Sequence, residues 1–403
     1  MTARIPLLFA WDLGANRGHV TQLLDLQPAL HGAGFSMHAA VNRVRDFGQQ
    51  LADEGVTVLQ SPSSEPPPGP RLTPLSLAHI FHNRGYADPD QMMGMVEGWR
   101  SLMRLTGTRL VLADGAPPAL IAARTLGLPV ANLSTPFHVP PRTHSFPLFS
   151  GAGVAATALE QSLDACVQTL FPRYNLPAPA RFVDLFETDD RGFFCLPELD
   201  AYGERPGHDY RGPLFGVRQG QAFAWPQVGP VAPRVFVYLP ARGPGPRTAL
   251  EALARLKWPV VGCCPGFSKD SEWRRLVEAN PTLSLHEHFL DIRQAGAEAD
   301  LALGNGSLAF THAMLLAGKP LGLVPGDSEK QLIARRVAGM GAGLALPVGA
   351  GAAGCGETLR TLVADARYRA AAAAFADRHA SHDPDALAGR FAANCRSLVA
   401  ARA

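Results

Sequence analysis

ADLALGNGSLAFTHAMLLAGKPLGLVPGDSEKQLIARRVAGMGAGLAL, residues Ala299–Leu346, is the stretch that decides the fold. Leu301–Leu303 is a short apolar run and reads as a buried strand ending at Gly304. A small polar loop, Asn305–Gly306–Ser307, precedes a helical pattern that runs to about Ala317. After Gly318–Lys319–Pro320 a second apolar run begins, Leu321–Val324. Strand, helix, strand is the order of a βαβ unit, whose two strands lie parallel.

The same alternation extends outward. Upstream, Val235–Leu239 and Val260–Cys263 are strand candidates with helical segments between them. A separate series opens the chain. Pro6–Trp11 reads as a strand, Asp12–Gly18 as a loop, and a helix follows from His19, with Val20, Leu23, Leu24 and Leu30 on one face. Pro28 lacks a backbone donor and is expected to kink that helix. Arg109–Ala113 reads as a later strand ending at Asp114, and Ala119–Leu126 as the helix after it. Two such series predict an α/β protein with two doubly wound, Rossmann-like parallel-sheet domains. The expected division is 1–213 for an N-terminal domain and 232–384 for a C-terminal one. Residues 385–403 form a final helix packing back on the first domain, with Leu387, Phe391 and Leu398 on one face. Gly212–Pro233, rich in glycine and proline, reads as the linker, and Ser61–Pro70 (SPSSEPPPGP) as an exposed loop.

Bulk properties narrow the function. At roughly 100–200 residues per domain, 403 residues fit two domains, and 47% hydrophobic content supplies their cores. A net charge of +2 calls for neither a nucleic-acid nor a membrane-surface partner. Cys166, Cys195, Cys263, Cys264, Cys355 and Cys395 show no zinc-site spacing and read as free thiols in a reducing compartment. No stretch has the length of a transmembrane segment. The opening MTARIPLLFAWD reads as a first buried strand and not a signal peptide, so the expected location is cytoplasmic.

In open parallel sheets, ligands bind beyond the carboxyl ends of the strands. With two such domains the expected site is the cleft between them. His19 follows the first strand, beside Gly14 and Gly18, which permit a tight turn and leave room for a ligand. A neutral imidazole there can take a proton from an attacking hydroxyl. Such a base needs a carboxylate to hold its tautomer, and Asp114, with Asp12 as a second candidate, ends a strand of the same domain. The plainer alternative is that His19 and Asp114 only cap their helices. In the second domain, the loop Asn305–Gly306–Ser307 opens a helix, whose N-terminus has unpaired amides and a positive dipole end suited to a diphosphate. Ser307 and Thr311 add hydroxyls; the alternative is an ordinary N-cap.

The run GHVTQLLDLQPALHGAGF resembles the opening of the glycosyltransferase family related to UDP-glycosyltransferases and macrolide glycosyltransferases. The resemblance puts Gly18 and His19 on the family's Gly-His pair, where the histidine is the general base. ADGAPPALIAARTLGLP puts Asp114 on the supporting aspartate. The stretch Ala299–Leu346 resembles the family's donor-binding signature, aligned without a gap on Gly318–Lys319–Pro320 and Pro325. Asn305 then replaces a phosphate-binding histidine, Gly306 matches, Ser307 replaces a second glycine, and Thr311 falls near hydroxyl positions. Ala313 stands where many members carry a ribose-binding glutamate. Glu329 and Lys330 fall on an acidic-Gln pair that contacts the donor sugar, with Gln331 one position late.

The resemblance implies the GT-B architecture and a glycosyltransferase acting on a UDP or dTDP sugar as co-substrate, without a cofactor. No acidic pair of the DxD type is suited to Mg²⁺, so transfer is expected to be inverting and metal-independent, with no metal ligands. Arg242, in the run PARGPG, is either a diphosphate contact or a surface arginine. Lys330, one of four lysines, is either a donor contact or a solvated residue. Pro136–Phe146 (PFHVPPRTHSF) carries His138, His144 and aromatics and reads as an acceptor-side loop without a catalytic role. The acceptor is unassigned. The alternatives are a nucleotide-sugar epimerase or hydrolase on the same frame, and a non-catalytic relative that binds a nucleotide sugar or a partner enzyme.

Overall fold

The computed structural model describes residues 4–13, 17–151, 157–214, 220–227 and 232–402. They divide into two compact units. Unit 1 comprises Met1–Pro197, Tyr202–Leu214 and Pro384–Ala403, and unit 2 comprises Glu198–Ala201 and Phe215–Asp383.

Unit 1 begins with β1 (Ile5–Trp11), α1 (Arg17–Gly32), β2 (Phe35–Val41), α2 (Val44–Asp53) and β3 (Thr57–Gln60). It continues with α3 (Leu77–Asn83), α4 (Pro89–Leu105), β4 (Leu110–Asp114), α5 (Pro117–Thr125), β5 (Val130–Asn132) and α6 (Thr157–Leu170). All strands are parallel, in the order β3-β2-β1-β4-β5. β1 is sealed from solvent from Leu7 to Trp11, as expected of a central strand covered on both faces.

Unit 2 carries β6 (Val235–Tyr238), α7 (Pro244–Leu256), β7 (Val260–Cys263), α8 (Ser271–Glu278), β8 (Leu283–His286) and α9 (Ile292–Glu298). Then come β9 (Leu301–Gly304), α10 (Leu308–Leu316), β10 (Leu321–Leu323), α11 (Ser328–Gly339), β11 (Gly343–Ala345), α12 (Gly351–Ala364) and α13 (Ala366–Arg378). Its parallel sheet runs β11-β10-β9-β6-β7-β8. The chain ends in α14 (Pro384–Ala400), which belongs to unit 1. Leu387, Phe391, Cys395 and Val399 join the core that contains Phe9, Trp11, Leu23 and Phe35. Burial of an apolar side chain of this size contributes about 1.5–3 kcal/mol.

Each sheet reverses its strand order once, between β1 and β4 in unit 1 and between β6 and β9 in unit 2. Such switch points leave a crevice beyond the strand ends, where ligands of open α/β sheets bind. α1 runs on through Pro28. β4 ends at Asp114, as the sequence indicates. α5 starts earlier than expected, at Pro117, because proline fits the first helical turn. The stretch expected as a linker is partly built into unit 2. Gln221 bridges to Leu290, and the Trp225 indole N–H donates to Glu298 Oε2 at 2.7 Å.

Candidate active site

In the β1/β4 pair, Trp11 stands opposite Asp114, so both residues end at the same level of the sheet. His19 lies in the first turn of α1 and turns back to that edge. Its Nδ1 is 2.5 Å from Asp114 Oδ2, and both side chains are buried, His19 5% and Asp114 0% exposed. A charge-assisted bond in such surroundings is short and strong. With Nδ1–H donated to the carboxylate, the tautomer puts the lone pair on Nε2. Neither residue is a helix cap. His19 sits inside α1, and the N-cap of α5 is Ala116.

Trp11 stacks on the imidazole, with ring centroids 5.2 Å apart and an interplanar angle of 30°. Asp12 belongs to another pair. The Tyr86 hydroxyl donates to its Oδ2 at 2.5 Å. Burial pushes the Asp12 carboxyl up to about 6, against the pull of the Tyr86 bond and the Arg84 charge. Burial and the neighbouring Asp12 charge also push the Tyr86 phenol well above its ordinary value. Gly18 does not form the tight turn expected of it. It is exposed in the first turn of α1, lacks a positive φ, and an added Cβ would meet nothing within 4 Å. Gly14 lies outside the described residues.

His138, read from the sequence as part of an acceptor-side loop, lies beside His19. It closes a 3-10 turn, Pro136–His138, that follows β5. Its ring centroid is 5.3 Å from that of His19. One ligating atom from each of His19, Asp114 and His138 lies within 4.8 Å of the others. Gly115 has φ +55°, a conformation that favours glycine, and a Cβ there would only be in ordinary contact with His138 Cγ at 3.5 Å. The turn is fastened from behind. The buried Arg205 guanidinium donates to the carbonyls of Val139 at 2.5 Å and Pro136 at 2.8 Å. The Tyr202 hydroxyl donates to Phe137 O at 3.0 Å. The separation of 24 positions between Asp114 and His138, and the long reach to Arg205, left no local pattern to find.

At the β6/β9 switch, Tyr238 stands opposite Gly304, and the loop Asn305–Ser307 leads into α10. Gly306 has φ +83°, and an added Cβ would sit 3.0 Å from Lys330 O, so the loop needs glycine there. The Ser307 amide donates to Asn305 Oδ1 at 3.0 Å. Ser307 is the N-cap of α10 by backbone position, without a side-chain capping bond. Thr311 is fully buried, and its hydroxyl has no hydrogen-bond partner, so it does not line the loop's surface.

Lys330 is neither solvated nor pointed at open space. It is 8% exposed, its ammonium pairs with Asp327, and Asp327 also caps α11 by accepting from the Lys330 amide at 3.0 Å. Glu329 is half-buried beside it. Arg242 is exposed in the loop between β6 and α7. Next to Thr311, His312 is sealed from solvent, and burial lowers its pKa to about 3, which keeps it neutral.

No protein-family profile and no curated protein matches the sequence. Solved structures do match over nearly the whole chain. The calicheamicin glycosyltransferase CalG4 superposes with a TM-score of 0.73 at 20% identity, over 98% of each chain. The spinosyn rhamnosyltransferase SpnG gives 0.70 at 17% identity, over 97% of this chain and 100% of its own. The glycosyltransferase VinC, determined in complex with dTDP, gives 0.67 at 19% identity, over 98% of this chain and 99% of its own. The fold is that of the GT-B glycosyltransferases.

Proposed function

We propose that the chain is a glycosyltransferase that moves a sugar from a UDP or dTDP donor onto an acceptor hydroxyl. The observation that carries this reading is the buried His19–Asp114 bond of 2.5 Å at the β1/β4 switch point. The end-to-end likeness to CalG4, SpnG and VinC, the last named with dTDP, supports it.

In this reading His19 Nε2 takes the proton of the acceptor hydroxyl as that oxygen attacks the anomeric carbon. Asp114 fixes the tautomer and stabilises the imidazolium that forms. A direct displacement of this kind inverts the anomeric centre. The bond from sugar to diphosphate breaks, and its electrons leave on the diphosphate. The amides of Asn305–Ser307 and the N-terminal end of α10 would hold that charge without a metal ion. Arg242, exposed beyond β6, adds a positive charge at the same sheet edge.

One observation favours a second reading, a nucleotide-sugar binding protein without turnover. The Ser307 amide is tied to Asn305 Oδ1, which removes a donor from the loop. Release of nucleoside diphosphate separates the two. The full chain is incubated with UDP- and dTDP-sugars and a panel of hydroxyl acceptors. The transferase reading expects release that requires an acceptor and disappears in His19→Ala. Nucleotide binding without release from any donor would leave the binding protein.

A further inference from the structure

We propose that His19, Asp114 and His138 form a site for a divalent transition-metal ion of the zinc type, and that its occupancy silences the base. The three groups come from the first turn of α1, the end of β4 and the turn after β5. Their chain spacing shows no metal pattern, and only the fold gathers them. Two imidazoles and a carboxylate are a donor set that zinc accepts, with a fourth position left for water or a substrate oxygen.

The distances suit this. One ligating atom from each residue lies within 4.8 Å of the others. Two ligands about 2.1 Å from a common metal stand at most ~4.2 Å apart, and roughly 3.4 Å in a tetrahedron. Closing the set takes a movement of about an ångström, within the reach of side-chain rotation. The turn that carries His138 is already held by Arg205 and Tyr202, so the third ligand is positioned in advance.

A second observation concerns a member of the same cluster. Asp114 is fully buried, its Oδ2 bonds His19 Nδ1, and its Oδ1 has no hydrogen-bond partner among the described residues. A buried carboxylate oxygen without a donor is costly, roughly 1–3 kcal/mol and more for a charged group. A cation at the cluster would relieve it. The six cysteines, which zinc would otherwise prefer, are all buried outside this cluster. Magnesium would not compete, because it demands about six oxygen ligands.

A metal held by the two imidazoles and the carboxylate ties the His19 pair to itself and removes the proton acceptor. That consequence rests on the proposed function; the site itself does not. The test is calorimetric titration of ZnCl₂ into the metal-stripped full chain near pH 7. One site tighter than about 10 µM is expected. It should weaken at least tenfold in His138→Gln and in His19→Ala, as loss of one ligand out of three demands, since even an outer-shell partner is worth about 10–100-fold. Excess Mg²⁺ should not displace the zinc. The Co²⁺ adduct should show the visible bands of a tetrahedral ion without thiolate absorption.

The surface pair His286 and His288, with ring centroids 5.2 Å apart, is the rival site. Binding that is lost in His288→Gln and kept in His138→Gln overturns the proposal, as does binding no tighter than about millimolar. Should His138→Gln fail to fold, His19→Ala and the Co²⁺ spectrum decide. Zinc binding in a protein without transfer activity keeps the site and removes the transferase reading. Transfer activity without zinc binding does the reverse.

Discussion

At the carboxyl edge of β1 and β4, the polar groups converge on one imidazole: His19 is oriented by Asp114, stacked on Trp11 and faced by His138. At the carboxyl edge of β6 and β9, the Ser307 amide bonds Asn305 and Lys330 pairs with Asp327, while the Thr311 hydroxyl is sealed inside without a hydrogen-bond partner among the described residues. Under the proposed function, the difference follows from what each edge would do. A general base works only at a fixed distance and in one tautomer, so its supporting carboxylate must be built in. A diphosphate can be held by backbone amides and a helix end, which any small loop supplies.

The largest expected effect tests the first edge alone. His19→Ala should lower turnover by roughly 10²–10⁴, the usual worth of a general base. Donor affinity should stay within about twofold of the unchanged chain, because the donor loop lies in unit 2. Steady-state rates together with calorimetric binding of nucleoside diphosphate check both halves. Near-normal turnover in a folded variant would remove His19 from the reaction.

The second test reverses the target. Ser307→Glu sets a carboxylate at the head of α10, against the diphosphate. Two unit charges about 4 Å apart near a protein surface interact by roughly 4 kcal/mol. Donor affinity should fall about a hundredfold or more, while the melting temperature barely moves, since Ser307 makes no side-chain capping bond. Unchanged affinity by calorimetry would detach the loop Asn305–Ser307 from donor binding.

These two edges were unequally legible in the sequence, and the reasons are physical. The alternation of apolar runs and helical patterns exposed β1, β4, β6, β7, β9 and β10, because buried parallel strands read as unbroken apolar stretches. β2, β3, β5, β8 and β11 were not marked by the same pattern: Phe35–Val41 and Leu283–His286 carry polar residues within the run, Thr57–Gln60 is only half-buried, and Val130–Asn132 and Gly343–Ala345 are three residues long. The candidates His19 and Asp114 were visible because His19 ends the loop after the first apolar run and Asp114 ends a later one. His138 was visible only as a residue type. Its neighbours in space are 119 and 24 positions away, and the Arg205 clamp reaches back 66 and 69 residues. The Lys330–Asp327 pair is local, three residues apart, and Asp327 is also the N-cap of α11. Glu198–Ala201 belongs to unit 2 although the chain around it belongs to unit 1. The Glu198 carboxylate bonds Arg378 and His379, and its carbonyl accepts from Arg336, contacts that no local pattern announces.

A third test concerns what the first edge costs in stability. The Asp12 carboxyl is raised by burial from an ordinary 3.8 to about 6. The folded state therefore holds the proton more tightly than the unfolded chain. Stability from this group is fully present below about pH 4 and is lost as the pH rises through about 6. Asp12→Asn keeps an acceptor for the Tyr86 hydroxyl and removes the titration. It should stabilise the chain at pH 7 by an amount on the order of 3 kcal/mol, at about 1.4 kcal/mol per pKa unit, with the gap closing toward pH 4. Denaturant unfolding at several pH values measures it. A gap independent of pH would mean that Asp12 is charged at no cost.

The smallest expected effect concerns which nucleotide the second edge accepts. Ala313 lies on the buried face of α10 and is 6% exposed. In the family that the sequence resembles, a glutamate at this place pairs with the ribose hydroxyls. A site built to bond a hydroxyl rejects the analogue that lacks it, because its own buried polar groups are left without partners. Alanine has no such group to strand. Glu329, half-buried at the start of α11, is the nearest substitute in the sequence order of the motif, and it follows Asp327, which is committed to Lys330. With no carboxylate at 313 to enforce the 2′-hydroxyl, UDP and dTDP should bind within about tenfold of each other, or about 1.4 kcal/mol. Titration of the full chain with each nucleotide measures the ratio. A preference for UDP beyond about a hundredfold would place a ribose reader elsewhere in unit 2, and Glu329→Gln would then be expected to abolish that preference. A ratio near one, unchanged in Glu329→Gln, would show that this edge recognises the diphosphate and leaves the ribose unread.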